Sequence, residues 1–102
     1  MIHVVAVITA KSGMRERILQ QFRANVPNVA AEEGCIEYGA AVDADHALPV
    51  QTRWGADTFL VIEKWSSMDA LRAHASAPHM AAYAEKTRDM IANRVIHILT
   101  PT

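Results

Sequence analysis

The stretch FLVIEKWSSMDALRAHASAPHM, residues 59–80, changes its period halfway along, and that change decides the fold. Up to Trp65 it is a run of bulky apolar residues interrupted only by Glu63 and Lys64, a strand that begins at Asp57 or Thr58. From Ser66 the pattern turns helical. Ser66 with Asp69 three residues later reads as a capping box, with Asp in place of the usual Glu, and opens a short helix through about Ala75. Pro78 opens another, reaching about Ile91, because proline in a first turn gives up no backbone hydrogen bond. Strand parity puts Phe59, Val61, Glu63 and Trp65 on one face.

Working outward, residues 43–57 (DADHALPVQTRWGAD) form a polar connection containing Pro and Gly, long for a hairpin. Before it, Cys35 to Val42 reads as a strand. Met14 to about Glu33 carries Ile18, Phe22, Val26, Val29 and Ala30 at helical spacing, with Ser12 as the expected N-cap and Gly34 as the stop. Pro27 removes one backbone donor from that helix and should kink it. Ile2 to Ala10 is a Val- and Ile-rich first strand ending at the turn signal KSG, and Val95 to Leu99 is the last strand. The order β-α-β-β-α-β over residues 1–102 is a single α+β domain of the ferredoxin-like kind, one antiparallel sheet with its helices on one side.

A sheet covered on one side should alternate apolar and polar residues. These strands do not. Val5 and Val7 oppose Ile2, Val4, Ala6 and Ile8; Phe59 and Val61 oppose Leu60 and Ile62; Val95 and Leu99 oppose Ile96 and Ile98. Helices can bury one face, so the other calls for a partner, and a homodimer joined through the sheet face is the expectation.

Composition narrows the function. Of 102 residues 51% are hydrophobic, enough for a core, and the net charge of −1 with no basic block argues against a nucleic-acid partner. The apolar start MIHVVAVITAKSG lacks a basic leader and a small-residue cleavage site, so it reads as a strand rather than a signal peptide. No run approaches the roughly 18 apolar residues that span a bilayer. Lone Cys35 suits a reducing compartment and reads as a small buried hydrophobe. A cytoplasmic protein with no membrane partner is expected.

Few polar groups remain for chemistry. Glu63 is a carboxylate beside an indole on a mostly apolar surface: a base, an orienting acceptor, or an acid paired with an Arg. Trp65 at a strand end can wall a flat aromatic ligand or fill the core. His74 follows Leu71 by three and points toward the sheet, as a site residue or a hydrogen-bonded core histidine. His79 lies just after Pro78 in a helix first turn, which suits a neutral ring, or simply a surface one. Tyr83, four residues on, faces the same way. His3 and His97 read as structural, and His46, Arg53 and Trp54 belong to the long connection. No HExxH, CxxC, GxGxxG, Walker or GxSxG pattern occurs, so no metal or nucleotide cofactor is indicated.

EEGCIEYGAAVD (residues 32–43) together with FLVIEKWSSMDALRAHASAPHM resembles the antibiotic biosynthesis monooxygenase family, in particular its bacterial quinol monooxygenase-like members. The resemblance runs through nearly the whole chain and rests on Glu33-Gly34-Cys35 with Tyr38, Glu63-x-Trp65, and His74 followed by Ser76-x-Pro78-His79. It implies a dimeric α+β barrel that oxygenates a quinol, phenol or related aromatic compound with O2 and no cofactor. On that basis His74 or His79 takes the phenolic proton and Glu63 orients a histidine or a substrate hydroxyl. Trp65, Tyr38, Tyr83 and Phe59 are the implied substrate-binding residues. A haem-degrading branch of the same fold is a rival, but its first-strand Asn is replaced here by the run from Val4 to Val7. A non-catalytic ligand-binding or stress-response dimer is the other, and it gains if Glu63 and the histidines prove salt-bridged or exposed.

Overall fold

A computed structural model describes residues 1–102. Its elements are β1 (Ile2–Ala10), α1 (Arg15–Ala30), β2 (Cys35–Ala41), β3 (Thr58–Trp65), α2 (Met68–Ala75), α3 (Pro78–Thr87), a 3-10 turn (Arg88–Met90) and β4 (Ile91–Leu99). The sheet order is β2-β3-β1-β4, every pair antiparallel. β3 slots between β1 and β2, the split βαβ arrangement of a ferredoxin-like α+β fold.

Parity sorts the two long central strands. Val4, Ala6, Ile8 and Ala10 of β1 and Phe59, Val61, Glu63 and Trp65 of β3 are buried beneath the helices, while the residues between them are only half-buried. The core falls into two clusters. Ala6, Ile8, Ile18, Leu19, Phe22, Phe59 and Val61 form the body of one; Val4, Val29, Trp65 and Leu71 form the other. Along β3 the break between them falls at Glu63, so a charged side chain occupies a seam in an otherwise apolar layer.

Three local expectations are corrected. The N-cap of α1 is Met14, with no side-chain bond, instead of Ser12. The connection before β3 holds this end instead: Gly13 N–H donates to Asp57 Oδ1 at 3.1 Å, and Arg15 Nη1 donates to the carbonyls of Gly55 and Thr58, both at 3.2 Å. The N-cap of α2 is Ser67, whose Oγ accepts from Ala70 N–H at 3.1 Å, and Asp69 pairs with Arg72 at 2.9 Å instead of closing a box. Ser66 is tied to the turn before β2, its N–H donating to Gly34 O at 2.8 Å. Finally α3 stops at Thr87, and β4 starts at Ile91, four residues earlier than its apolar alternation suggests, because Thr9 and Ala10 of β1 pair with Asn93 and Ile91.

Pro27 lies inside α1, which continues past it to Ala30. The chain then turns through Gly34, at φ +81°, where a Cβ would come within 2.6 Å of Ala70 Cβ and Ser66 Oγ. Only glycine fits both the backbone angle and the gap. This close crossing carries Glu32 beneath α2 and α3.

The face away from the helices keeps its apolar residues: Val5 pairs with Ile62 and His97, and Val7 with Leu60 and Val95. β4 has one neighbour, and its Val95, Ile96, Ile98 and Leu99 are 41–53% exposed.

Candidate active site

The seam at Glu63 is where four elements deliver polar side chains to one place. β3 parity sends Glu63 and Trp65 under α2, and helical spacing sends His74 down from α2 beside Leu71, leaving it 5% exposed. The turn after α1 supplies Glu32, and the first turn of α3 supplies His79. His74 Nδ1 lies 2.8 Å from Glu32 Oε2, and its Nε2 lies 4.0 Å from Glu63 Oε1. Trp65 Nε1–H donates to Glu63 Oε1 at 2.8 Å. His79 Nε2 lies 3.5 Å from Glu32 Oε2, and its Nδ1 is 3.2 Å from Asn25 Nδ2. The imidazole of His74 packs against the Trp65 indole with centroids 4.6 Å apart and meets Tyr38 edge-on at 5.5 Å. Contacts therefore run in one line: Asn25, His79, Glu32, His74, Glu63, Trp65.

The line is electrostatically tense. Burial pushes the Glu63 carboxyl above its ordinary value; the Trp65 N–H and His74 pull it back, and Glu32 adds a further push upward. Burial also drives the Tyr38 phenol far up, helped by Glu63, so it remains a neutral hydroxyl. Tyr83 is pushed up to about 12 by burial, with Arg94 opposing. The Cys35 thiol is raised by burial and by Glu32 and Glu63, which favours its protonated form. Glu32 Oε2 and His74 Nδ1 satisfy each other where a buried polar group left without a partner costs about 1–3 kcal/mol. An imidazole between two carboxyl groups is placed to take a proton from a hydroxyl that reaches it.

Two pockets flank the line. One, of about 280 Å3, lies between α1 and β2 and is mostly apolar, with Leu19, Phe22, Val26, Tyr38 and Val42 among its walls. The other, of about 160 Å3, lies between α1 and α3 and is lined by Asn25, Asn28, His79, Tyr83 and Lys86 among others. Neither is lined by His74, Glu63 or Trp65. Of the residues singled out in the sequence, Glu63, Trp65, His74 and His79 come together; Tyr38 joins them through its ring. Tyr83 stands apart on α3, edge-on to Phe22 at 6.3 Å, and Phe59 is fully buried in the larger cluster. Cys35 is half-buried. No group of three or more His, Cys, Asp or Glu side chains is arranged to hold a metal ion.

Glu32 and Asn25 escaped the sequence analysis. Glu32 lies between elements, where neither helical nor strand periodicity ranks it, and it is indistinguishable by type from exposed Glu33. The one available signal was its place two residues before a glycine stop, where a tight turn swings side chains back toward the core.

Fold and site together define a ferredoxin-like α+β protein with an acid–imidazole line buried between sheet and helices. The chain belongs to the antibiotic biosynthesis monooxygenase family, whose model matches residues 1–86. It is 37% identical over 103 residues to "Probable quinol monooxygenase YgiN" of Escherichia coli K12, covering 99% of this chain and 98% of that one. Among solved structures it resembles PA3566 from Pseudomonas aeruginosa, with a TM-score of 0.81 at 27% identity over 99% of this chain and 93% of that one. Rv0793 from Mycobacterium tuberculosis, 20% identical, shares the fold at a TM-score of 0.81 over 99% and 94% of the two chains.

Proposed function

We propose that this protein is a cofactor-independent monooxygenase that oxidises a quinol, phenol or related aromatic compound with O2. The observation that carries the proposal is the buried line in which His74 stands between Glu32 and Glu63, 2.8 Å and 4.0 Å away, under the Trp65 indole. Membership of a monooxygenase family, and the printed name of the Escherichia coli relative, support it.

The chemistry asks little of the protein beyond these groups. A histidine takes the hydroxyl proton of the quinol. The quinolate, now electron-rich, passes one electron to O2, and the resulting semiquinone and superoxide combine as a ring-bound peroxide. Loss of water leaves a hydroxyquinone, so one oxygen atom enters the ring and the other leaves as water. The enzyme's part is to ionise the substrate, exclude bulk water and hold hydrogen-bond donors near the developing oxyanion. Trp65 and Tyr38 shape the apolar surroundings of His74 in this reading, with Phe59 and Tyr83 packed behind them on Phe22. A second copy covers the open face of the sheet, since Val5, Val7, Leu60, Ile62 and Val95 would otherwise meet water. The single half-buried cysteine fits a reducing, cytoplasmic setting.

One observation favours a second reading. His74 is already held by Glu32 through its Nδ1, and neither pocket described above is lined by it. A non-catalytic ligand-binding dimer would use only the apolar α1–β2 pocket and need no base.

Oxygen consumption by the purified protein with reduced quinols, autoxidation subtracted, separates the two. Enzyme-dependent uptake with an oxygenated product is expected. Of His74→Ala and His79→Ala, one should lower the rate by about 10²-fold or more while folding stays nearly intact by circular dichroism. Full rate in both variants contradicts a histidine base; ligand binding without uptake supports the second reading.

A further inference from the structure

The hydrogen-bond network around Glu32 decides which nitrogen of each imidazole carries its proton. The thioether of Met80 can only accept, so the Asn25 amide turns its Nδ2 toward Sδ, 3.4 Å away. Asn25 Oδ1 is correspondingly filled by Asn28 Nδ2 at 3.0 Å. The second hydrogen of Asn25 Nδ2 then reaches His79 Nδ1 at 3.2 Å, and that nitrogen must present its lone pair. In the neutral ring the hydrogen of His79 sits on Nε2. This Nε2 is the one buried side-chain nitrogen or oxygen in the molecule without a hydrogen-bond partner, and Glu32 Oε2 stands 3.5 Å from it. A carboxylate only accepts, and the same Oε2 takes the Nδ1–H of His74 at 2.8 Å. The lone pair of His74 is thereby left on Nε2. At 4.0 Å from Glu63 Oε1 it is too far for a direct hydrogen bond.

We propose that Glu32 is a positioning residue that fixes the tautomer of His74, as Asn25 fixes that of His79, so that His74 Nε2 is the proton acceptor and His79 is a donor rather than a base. The role as acceptor rests on the oxygenase reading above; the tautomers do not. In the proton step the quinol O–H bond breaks, its electron pair stays on oxygen, and an N–H bond forms at His74 Nε2. The imidazolium is then held between Glu32 and Glu63. The ionisable groups facing Glu32 are His74 from α2, His79 from α3, Cys35 and Tyr38 from β2 and Glu63 from β3.

Nitrogen-15 NMR of the full chain with labelled histidine rings tests this without turnover. Neutral His74 should carry its hydrogen on Nδ1 and neutral His79 on Nε2. Glu32→Leu, which leaves no acceptor, should abolish the His74 preference and lower kcat by about tenfold to 10²-fold with KM nearly unchanged, and Glu32→Gln, which keeps an oxygen, should restore part of both. Should Glu32→Leu fail to fold, Asn25→Leu serves instead, freeing the His79 tautomer while His74 keeps its Nδ1–H. His74 found with its hydrogen on Nε2 in the wild type, or a His74 tautomer unmoved by Glu32→Leu, overturns the inference. Expected tautomers without quinol turnover sink the oxygenase reading and leave the tautomer assignment standing. Quinol turnover with the opposite His74 tautomer sinks this inference alone.

Discussion

Glu63 is a carboxylate placed where apolar packing would otherwise continue, and its energetics can be measured directly. Burial raises its folded-state pKa above the ordinary 4.5, so between those two values the folded chain holds more protons than the unfolded one. Unfolding free energy then falls as pH climbs through that window. Glu63→Gln keeps an oxygen for the Trp65 N–H and removes the ionisation. Its stability relative to wild type should rise as pH increases from 4.5, read from urea melts of both proteins at matched pH. A wild-type advantage that grows with pH would contradict the account. At this scale the sequence made Glu63, Trp65 and His74 legible, because strand parity and helical spacing both aim side chains. Glu32 was not legible, because its position is set by the Gly34 crossing under Ala70, a contact between residues far apart in the chain.

The elements that carry those residues were legible wherever their pattern was periodic. β1 and β3 alternate buried and half-buried residues as their parity requires, and the strand order follows from the split βαβ arrangement. Element ends were less so, since tertiary pairing fixes them. Ile91 to Arg94 shows no alternation, yet it is strand because β1 offers it a ladder. The cap of α2 is a second case: two adjacent serines are equivalent in the sequence, and the bond from Ser66 N–H to Gly34 O passes the capping role to Ser67. Ser67→Ala should therefore cost about 1 kcal/mol of stability, and Ser66→Ala no more than about 0.5 kcal/mol, in thermal or urea unfolding. The reverse order would put the cap back at Ser66.

At the scale of the whole molecule, the sheet presents an apolar face that no helix covers, and its edge strand β4 is half-exposed along its length. In the proposed dimer that face meets the same face of a second copy. Leu60 and Val7 pair across β3 and β1 near its middle, so Leu60→Lys should shift sedimentation from two protomers to one across a dilution series. A wild-type protein that sediments as a monomer throughout would contradict the dimer. No helix is long and apolar enough to cross a membrane. The rest of the proposed function depends on its chemistry, in which an aromatic hydroxyl is ionised in this fold and the ring then takes one atom from O2. Its most direct test is turnover of a reduced quinol under 18O2, with the product weighed by mass spectrometry and the protein-free reaction subtracted. The account predicts a single 18O in the product, formed at a rate that collapses in His74→Ala. A product without 18O, or labelling equally fast in His74→Ala, would contradict it.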